Sequence, residues 1–200
     1  MHGINISQDQ LNNAKLYSNR WTWIKTIPEG LNILEVGVSA GDYSNRILER
    51  NPNILVLIDT FLDGDITHDH VNSPRFQKGE NLEFIIKRFE GKNILPVVGR
   101  SQSILPEMNK HFDEKFDIIY LDASSQYENL KLDIKNSLPL LKDSGILALN
   151  DYMLNDRHGN TYGVVPAVTE FLDENPSWEV IGFALDKEMF CDIHLRKSSF

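Results

Sequence analysis

The sequence predicts one α/β domain built on a doubly wound, mostly parallel seven-stranded sheet with a final antiparallel strand. Short apolar runs alternate with amphipathic segments along the chain, and polar residues directly follow four of these runs. Alternating strands and helices imply parallel βαβ units with helices on both faces of the sheet. The length of 200 residues suits a single domain, with an N-terminal helical segment over 1–28 and an α/β core over 29–196.

The N-terminal segment is predicted to be one helix. Ser7 and Gln10 have the spacing of a capping box. The apolar residues that follow keep a roughly helical spacing, so we expect a helix over residues 8–26 that ends at Pro28.

Seven apolar runs are predicted strands, and five segments between them are predicted helices. Pro96 has no N–H to donate, which predicts that its strand lies at an edge of the sheet. Residues 60–78 form a polar, turn-rich connection. The predicted strands are 31–36, 54–58, 94–98, 116–121, 145–149, 178–184 and 189–195. The predicted helices are 42–50, 79–90, 101–112, 127–141 and one that begins near residue 164.

Charge and cysteine content limit the partners and the compartment. The formal net charge is -9, and no Lys/Arg cluster is present, which disfavours nucleic acid and membrane surfaces. The single Cys191 excludes an intrachain disulfide and indicates a buried thiol in a reducing compartment. We find no signal peptide and no apolar stretch of about 20 residues. A cytoplasmic enzyme with a small-molecule partner is expected, as a monomer or a homodimer.

A glycine motif follows the first predicted core strand. Residues 35–41 read E-x-G-x-x-x-G, with Glu35, Gly37 and Gly41 at the fixed positions. Glycines allow a tight turn and close approach of a ligand, and the next helix N-terminus offers N–H groups to a carboxylate. The spacing differs from the G-x-G-x-x-G turn of dinucleotide-binding folds. A plain glycine-rich loop remains the alternative.

Polar residues end three further strands. Asp59 has the position of an acidic residue that binds two ribose hydroxyls, although an exposed loop aspartate is the alternative. Asp122 and the pair Asn150-Asp151 end the next two parallel strands. Because ligands of such sheets bind beyond the carboxyl ends of the strands, these residues predict one shared cleft.

These motifs together resemble class I S-adenosylmethionine-dependent methyltransferases. Residues 99–106 are similar to the adenine-side segment of catechol O-methyltransferases, and 116–122 with 145–152 are similar to macrocin O-methyltransferases. The resemblance implies that Asp59 holds the ribose of S-adenosylmethionine and that Asp122 also borders the cofactor. It implies a lining of the methionine part by Glu35, Gly37, Ser39 and Gly41, and of the adenine by Thr60, Phe61, Gly99, Arg100, Ser101 and Gln102.

The resemblance also implies a divalent metal ion, with Asp122, Asn150 and Asp151 as ligands. Such oxygen ligands suit Mg²⁺, which would lower the pKa of an acceptor hydroxyl. The expected reaction is therefore O-methylation of a small-molecule hydroxyl, with Asp122 and Asp151 as catalytic residues. The alternative is that Asn150 and Asp151 only end a strand and bind water.

The residue at the general-base position differs from that in the O-methyltransferase families that the sequence resembles. Ser125 stands where they have histidine or lysine, and a serine is not a strong base by itself. His158, in the 152–162 loop, is a candidate base, or else a surface residue; an acidic acceptor or the metal alone are further possibilities. A non-catalytic S-adenosylmethionine-binding domain and a nicotinamide-dependent oxidoreductase remain alternative functions. His68 and His70 lack further zinc ligands at suitable spacing and are interpreted as solvated.

Overall fold

One sheet of eight strands organises the protein, described by a computed structural model over residues 5–61, 80–112, 115–187 and 190–198. The strands are β1 (Lys15–Tyr17), β2 (Asn32–Val36), β3 (Ile54–Asp59), β4 (Ile94–Val98), β5 (Phe116–Leu121), β6 (Leu141–Leu149), β7 (Trp178–Ala184) and β8 (Asp192–Lys197). Their order in the sheet is β1-β7-β8-β6-β5-β2-β3-β4. Among the described strands, only β8 is antiparallel to its neighbours, which confirms the predicted final antiparallel strand.

Within the described residues, six α-helices cover the two faces of the sheet. They are α1 (Arg20–Ile24), α2 (Asp42–Leu48), α3 (Glu80–Arg88), α4 (Ser101–His111), α5 (Tyr127–Ser137) and α6 (Val164–Glu174). Buried side chains of α1, α2 and α3 pack on one face, and those of α4, α5 and α6 pack on the other. The predicted doubly wound architecture is therefore confirmed.

The winding of the chain reverses between β2 and β5, which are hydrogen-bonded neighbours. From β2 the chain moves outward through β3 to β4, and it then returns to β5 and continues to β6 on the other side. All five of these strands are parallel, so their carboxyl ends share one edge of the sheet. Such a reversal creates a crevice where ligands of α/β proteins bind.

The predicted core strands and helices lie within a few residues of the observed ones. Pro96 lies in β4 at the edge of the sheet, as its missing N–H predicted. The helix near Pro139 ends at Ser137 and continues as one turn of 3₁₀ helix, Leu138–Leu140.

The predicted helix over residues 8–26 is wrong. The capping-box hydrogen bonds between Ser7 and Gln10 do form, but they start only a 3₁₀ turn, Asp9–Leu11. The chain then extends as β1, because the outer edge of β7 offers unpaired backbone groups to it. Asn19 starts α1, its side chain accepting a hydrogen bond from the Thr22 amide at 2.9 Å. This extra edge strand also explains why eight strands are present instead of seven.

The cysteine and the apolar segments of the chain can also be compared with the structure. Cys191 is buried, as predicted. Within the described ranges, no helix combines the length and apolar character that crossing a membrane requires. His68, His70 and most of the 60–78 connection lie outside the described residues.

Candidate active site

The glycine loop after β2 is in direct contact with the end of β5. Gly37 has a φ of +93°, and a Cβ at this position would lie 2.3 Å from the backbone oxygen of Asp122. At Gly41, with a φ of +78°, a Cβ would lie 2.8 Å from Ile85 of α3. Glycine is therefore required at both positions, one by the neighbouring strand and one by the helix behind the loop.

Asp59 fastens this loop from the end of β3. Its Oδ2 accepts hydrogen bonds from the amides of Val38 and Ser39, at 2.7 and 3.1 Å. Its Oδ1 accepts one from the amide of Phe61 at 2.9 Å. The loop amides that we expected to face an anion thus donate to Asp59. Each carboxylate oxygen can accept more than one hydrogen bond, so a ribose could still be bound.

Backbone strain is concentrated at this edge of the sheet. Four non-glycine residues in the described chain have positive φ, and Ser39, Phe61 and Asp151 are three of them, at 50°, 47° and 58°. Each follows a different parallel strand. Left-handed conformations of such residues cost about 1–3 kcal/mol and are typical of functional sites.

The residues predicted to border the adenine follow β3 and β4. The Gly99 amide donates to the backbone carbonyl oxygen of Asp59 at 2.9 Å. Phe61 is buried, and Arg100 precedes α4 with an extended backbone. Ser101 and Gln102 instead direct their side chains to buried Asp133 of α5, at 2.9 and 3.0 Å. Thr60 lies beside Asp59, with 3.4 Å between its hydroxyl and Oδ1.

Asp122, Asn150 and Asp151 converge at the ends of β5 and β6. The Asn150 side-chain nitrogen donates to Asp122 Oδ1 and to Asp151 Oδ1, each at 2.9 Å. The prediction that these three side chains lie together is therefore consistent with the geometry. The backbone contact of Gly37 with Asp122 makes this acidic group a neighbour of the glycine loop.

Arg20 of α1 was not predicted to belong to the site. Its Nη1 lies 3.6 Å from Asp122 Oδ2 and donates to the Tyr120 hydroxyl at 3.0 Å. Tyr120 in turn donates to buried Asp192 of β8 at 3.2 Å. Because a single helix was predicted over 8–26, the position of Arg20 at the start of α1 was not expected. Asn19 before Arg20 is the helix-start signal that would have indicated it.

Aromatic rings hold the Arg20 side chain in place. Its guanidinium carbon lies 5.0 Å from the ring centre of Trp21 and 5.2 Å from that of Tyr43. Tyr43 is itself 4.2 Å from Tyr120, measured between ring centres. A guanidinium placed over the face of an aromatic ring is attracted by the ring electrostatically.

Burial determines the charge of the acidic groups around Arg20. It raises the pKa of Glu35 to about 8 and the pKa of Asp192 well above its usual range. Burial and the charge of Asp122 raise the pKa of Asp151 to about 7. Burial alone would lower the pKa of Arg20, but Tyr120, Asp122 and Asp192 raise it, so its guanidinium stays charged.

The site has polar atoms left for a ligand. Glu35 Oε2 and Asn150 Oδ1 are buried without a hydrogen-bond partner among the described residues. Because unpaired buried oxygens are costly, they are expected to meet a ligand or water. With Asp59 and the glycine loop, these residues fit a nucleoside cofactor that carries an amino-acid part.

The same residues fit a divalent ion poorly as they are arranged. Asn150 turns its NH₂ group, not its oxygen, toward both carboxylates, and Arg20 already stands beside Asp122. Rotating the amide would present the oxygen, but it would not move Arg20. Among the described residues, no three His, Cys, Asp or Glu side chains form a metal-binding group.

Neither base candidate is brought to Asp122 by a described hydrogen bond. The carbonyl of Ser125 accepts from the Gly163 amide at 2.6 Å, which packs its loop against the start of α6. His158 is exposed, and its described hydrogen bonds involve only Asp156 and Arg157 of its own turn.

Comparisons with known proteins give a consistent result. A profile of a family described as a methyltransferase domain matches residues 34–152, more than half of the chain. No curated protein matches the chain.

Solved structures show a similar fold at low identity. An O-methyltransferase from Bacillus cereus in complex with S-adenosylhomocysteine is 14% identical, with a TM-score of 0.62 over 84% of this chain and 74% of that one. The N-methyltransferase NodS from Bradyrhizobium japonicum, also with S-adenosylhomocysteine, is 16% identical, with a TM-score of 0.61 over 90% and 86%. An rRNA methylase from Streptococcus thermophilus is 10% identical, with a TM-score of 0.61 over 90% and 95%.

The matched residues 34–152 include the glycine loop, Asp59, Asp122 and Asp151. They therefore span the edge of the sheet at which the polar strand ends converge. The chain belongs to the methyltransferase domain family and has the fold of solved methyltransferases that bind S-adenosylhomocysteine.

Proposed function

We propose that this methyltransferase acts on a hydroxyl oxygen of a small-molecule acceptor. One observation carries the proposal: the glycine loop is in direct contact with the backbone of Asp122. The loop that would bind the cofactor is therefore next to an acidic group that can receive a hydroxyl proton. The net charge of -9 favours a small molecule over RNA, although the structural neighbours include two that are described as rRNA methylases.

The residues of the chain divide into a cofactor side and an acceptor side. Bound S-adenosylmethionine supplies an electrophilic methyl group, and its transfer to the acceptor oxygen leaves S-adenosylhomocysteine. Glu35 and Asp59 hold the cofactor side. On the acceptor side, the hydroxyl proton passes to the carboxylate pair of Asp122 and Asp151, with His158 as the alternative acceptor. Holding both reactants in one cleft supplies much of the acceleration.

The Mg²⁺ ion implied by the resemblance stays a prediction that the observed arrangement of Asn150 and Arg20 does not favour, and no step above depends on it. Its ligands would be Asp122, Asn150 and Asp151. Turnover that is lost in EDTA and restored by Mg²⁺ would support the ion, and turnover that is unchanged in EDTA would count against it.

The test of the proposed function is transfer of a labelled methyl group from S-adenosylmethionine. The acceptor panel contains catechols, phenols and sugar hydroxyls, with a structured RNA as a further arm. Labelled methyl ethers of the small hydroxyl compounds are expected. Transfer to RNA alone would refute the proposal, and S-adenosylhomocysteine binding without any transfer would indicate a non-catalytic domain. Preferential binding of a nicotinamide cofactor would indicate an oxidoreductase.

Asp59→Ala is expected to weaken S-adenosylhomocysteine binding by about 100-fold or more. The change removes the acceptor of three backbone hydrogen bonds, each worth about 1.5–3 kcal/mol when made to a charged group. Isothermal titration calorimetry measures the affinity. Asp143→Ala, whose side chain is 97% exposed, is the matched control and should bind like the parent protein. Unchanged affinity of Asp59→Ala would remove Asp59 from the cofactor site.

Asp151→Ala is expected to lower turnover by roughly 100-fold, the usual scale for losing a proton-transfer group. Its affinity for S-adenosylhomocysteine should stay within about threefold of the parent, since the described hydrogen bond of its side chain is to Asn150. The two variants thus separate the acceptor side from the cofactor side. An equal loss of affinity in both would contradict this division.

A further inference from the structure

The group formed by Asp122, Asn150 and Asp151 is unusual for a metal site because a positively charged side chain, Arg20, already lies beside it. Arg20 reaches the site from α1, a helix outside the strand-end loops that supply the carboxyl groups. Its guanidinium is 3.6 Å from Asp122 and bonded to Tyr120.

The Asn150 amide complements this cation. Its nitrogen lies 2.9 Å from one oxygen of Asp122 and 2.9 Å from one of Asp151. An NH₂ group between two carboxylates satisfies both without a metal ion. The second oxygen of Asp122 is the one that faces Arg20. Both oxygens of Asp122 therefore have a donor or a positive charge beside them.

We propose that Arg20 takes the cation position beside Asp122 and excludes a divalent ion from the group formed by Asp122, Asn150 and Asp151. The guanidinium would then orient the acceptor oxygen. In the O-methyltransferase families that the sequence resembles, a metal ion has this role. The orienting role of the guanidinium rests on the proposed function. The exclusion of the ion does not, because it concerns only charges within the protein.

Two features favour a permanent position for Arg20. The Trp21 and Tyr43 rings flank the guanidinium. The Tyr120 hydroxyl, itself bonded to buried Asp192, accepts one of its hydrogen bonds. A divalent ion at Asp122 would lie within a few ångströms of this positive charge, where repulsion in a partly buried site is strong.

Direct binding of Mn²⁺ tests the exclusion without measuring methyl transfer. Electron paramagnetic resonance reports free and bound Mn²⁺ for the full chain, with and without S-adenosylhomocysteine. The key variant is Arg20→Met, which removes the charge and keeps most of the side-chain length. Arg20→Lys keeps a charge. Arg196→Met is the matched control, because it breaks another arginine pair, with Glu179 at 3.1 Å, away from the strand ends.

Arg20→Met is expected to bind Mn²⁺ at least about tenfold more tightly than the parent protein, since a unit charge next to the ligand carboxylate is lost. Arg20→Lys and Arg196→Met should resemble the parent. Comparable Mn²⁺ affinity in the parent and Arg20→Met, whether both bind or neither does, would overturn the proposal. If Arg20→Met does not fold by circular dichroism, Arg20→Gln replaces it under the same criteria.

The two proposals fail separately. If Mn²⁺ binds only after Arg20 is replaced, the exclusion stands even when no acceptor is methylated. If methyl transfer occurs but the parent protein binds Mn²⁺ as tightly as Arg20→Met, the proposed function stands and the role of Arg20 is refuted.

Discussion

Gly37→Ala is expected to abolish detectable S-adenosylhomocysteine binding and to destabilise the fold by about 3 kcal/mol or more. The new methyl group would lie 2.3 Å from the backbone oxygen and 2.4 Å from the backbone carbon of Asp122. Backbone atoms cannot rotate away as a flexible side chain can, so β2 and β5 would have to separate at their carboxyl ends. That separation displaces the cofactor loop and the acidic group together.

The measurement combines urea unfolding with calorimetric titration of S-adenosylhomocysteine. Gly30→Ala is the matched control, because Gly30 has a φ of +74° and nothing lies within 4 Å of its Cβ position. It isolates the cost of the left-handed backbone, about 1 kcal/mol, from the cost of the clash. If Gly37→Ala bound the cofactor normally and lost no more stability than Gly30→Ala, the close contact between loop and strand would be irrelevant to the site.

The core of the sheet was predictable because its strands are apolar runs bounded by polar residues. Leu55, Val56 and Leu57 of β3 are fully buried, as a strand covered on both faces should be. The position of Asp59 at the end of this strand followed from the same reasoning. Local sequence determines where such a strand ends, and the parallel topology then determines which strand ends lie together.

The N-terminal segment was not predictable in the same way. Lys15–Tyr17 forms a strand only because β7 presents a free edge more than 160 residues later in the chain. Arg20 enters the site because this strand and the Asn19 cap direct α1 across the sheet. Helical spacing in an isolated segment carries no information about a distant edge, so tertiary pairing outweighed local propensity.

The last prediction concerns His194 of β8, which is fully buried. Its ring stacks on Trp23 with 3.8 Å between ring centres, and neither nitrogen has a hydrogen-bond partner among the described residues. Burial lowers its pKa from 6.5 to about 3. Below pH 6.5 the unfolded chain therefore binds a proton that the folded protein does not, and stability is lost as the pH falls.

His194→Phe is expected to remove this loss while keeping the stacked ring. The contribution of His194 falls by about 1.4 kcal/mol per pH unit below pH 6.5 and levels off near pH 3. Glu35 acts in the opposite direction, because its raised pKa favours the folded state as the pH falls from about 8. The difference between variant and parent is therefore the quantity to measure, by urea unfolding at pH 8, 6 and 5.

The expected result is a variant that gains about 1–2 kcal/mol relative to the parent between pH 8 and pH 5. His111→Phe is the control, since His111 is 76% exposed and should show the same pH dependence as the parent. A constant difference between His194→Phe and the parent across this range would mean that His194 takes up a proton inside the fold. The ring would then have to gain a polar partner at low pH, because a charged imidazole stacked on Trp23 without one would be too costly to bury.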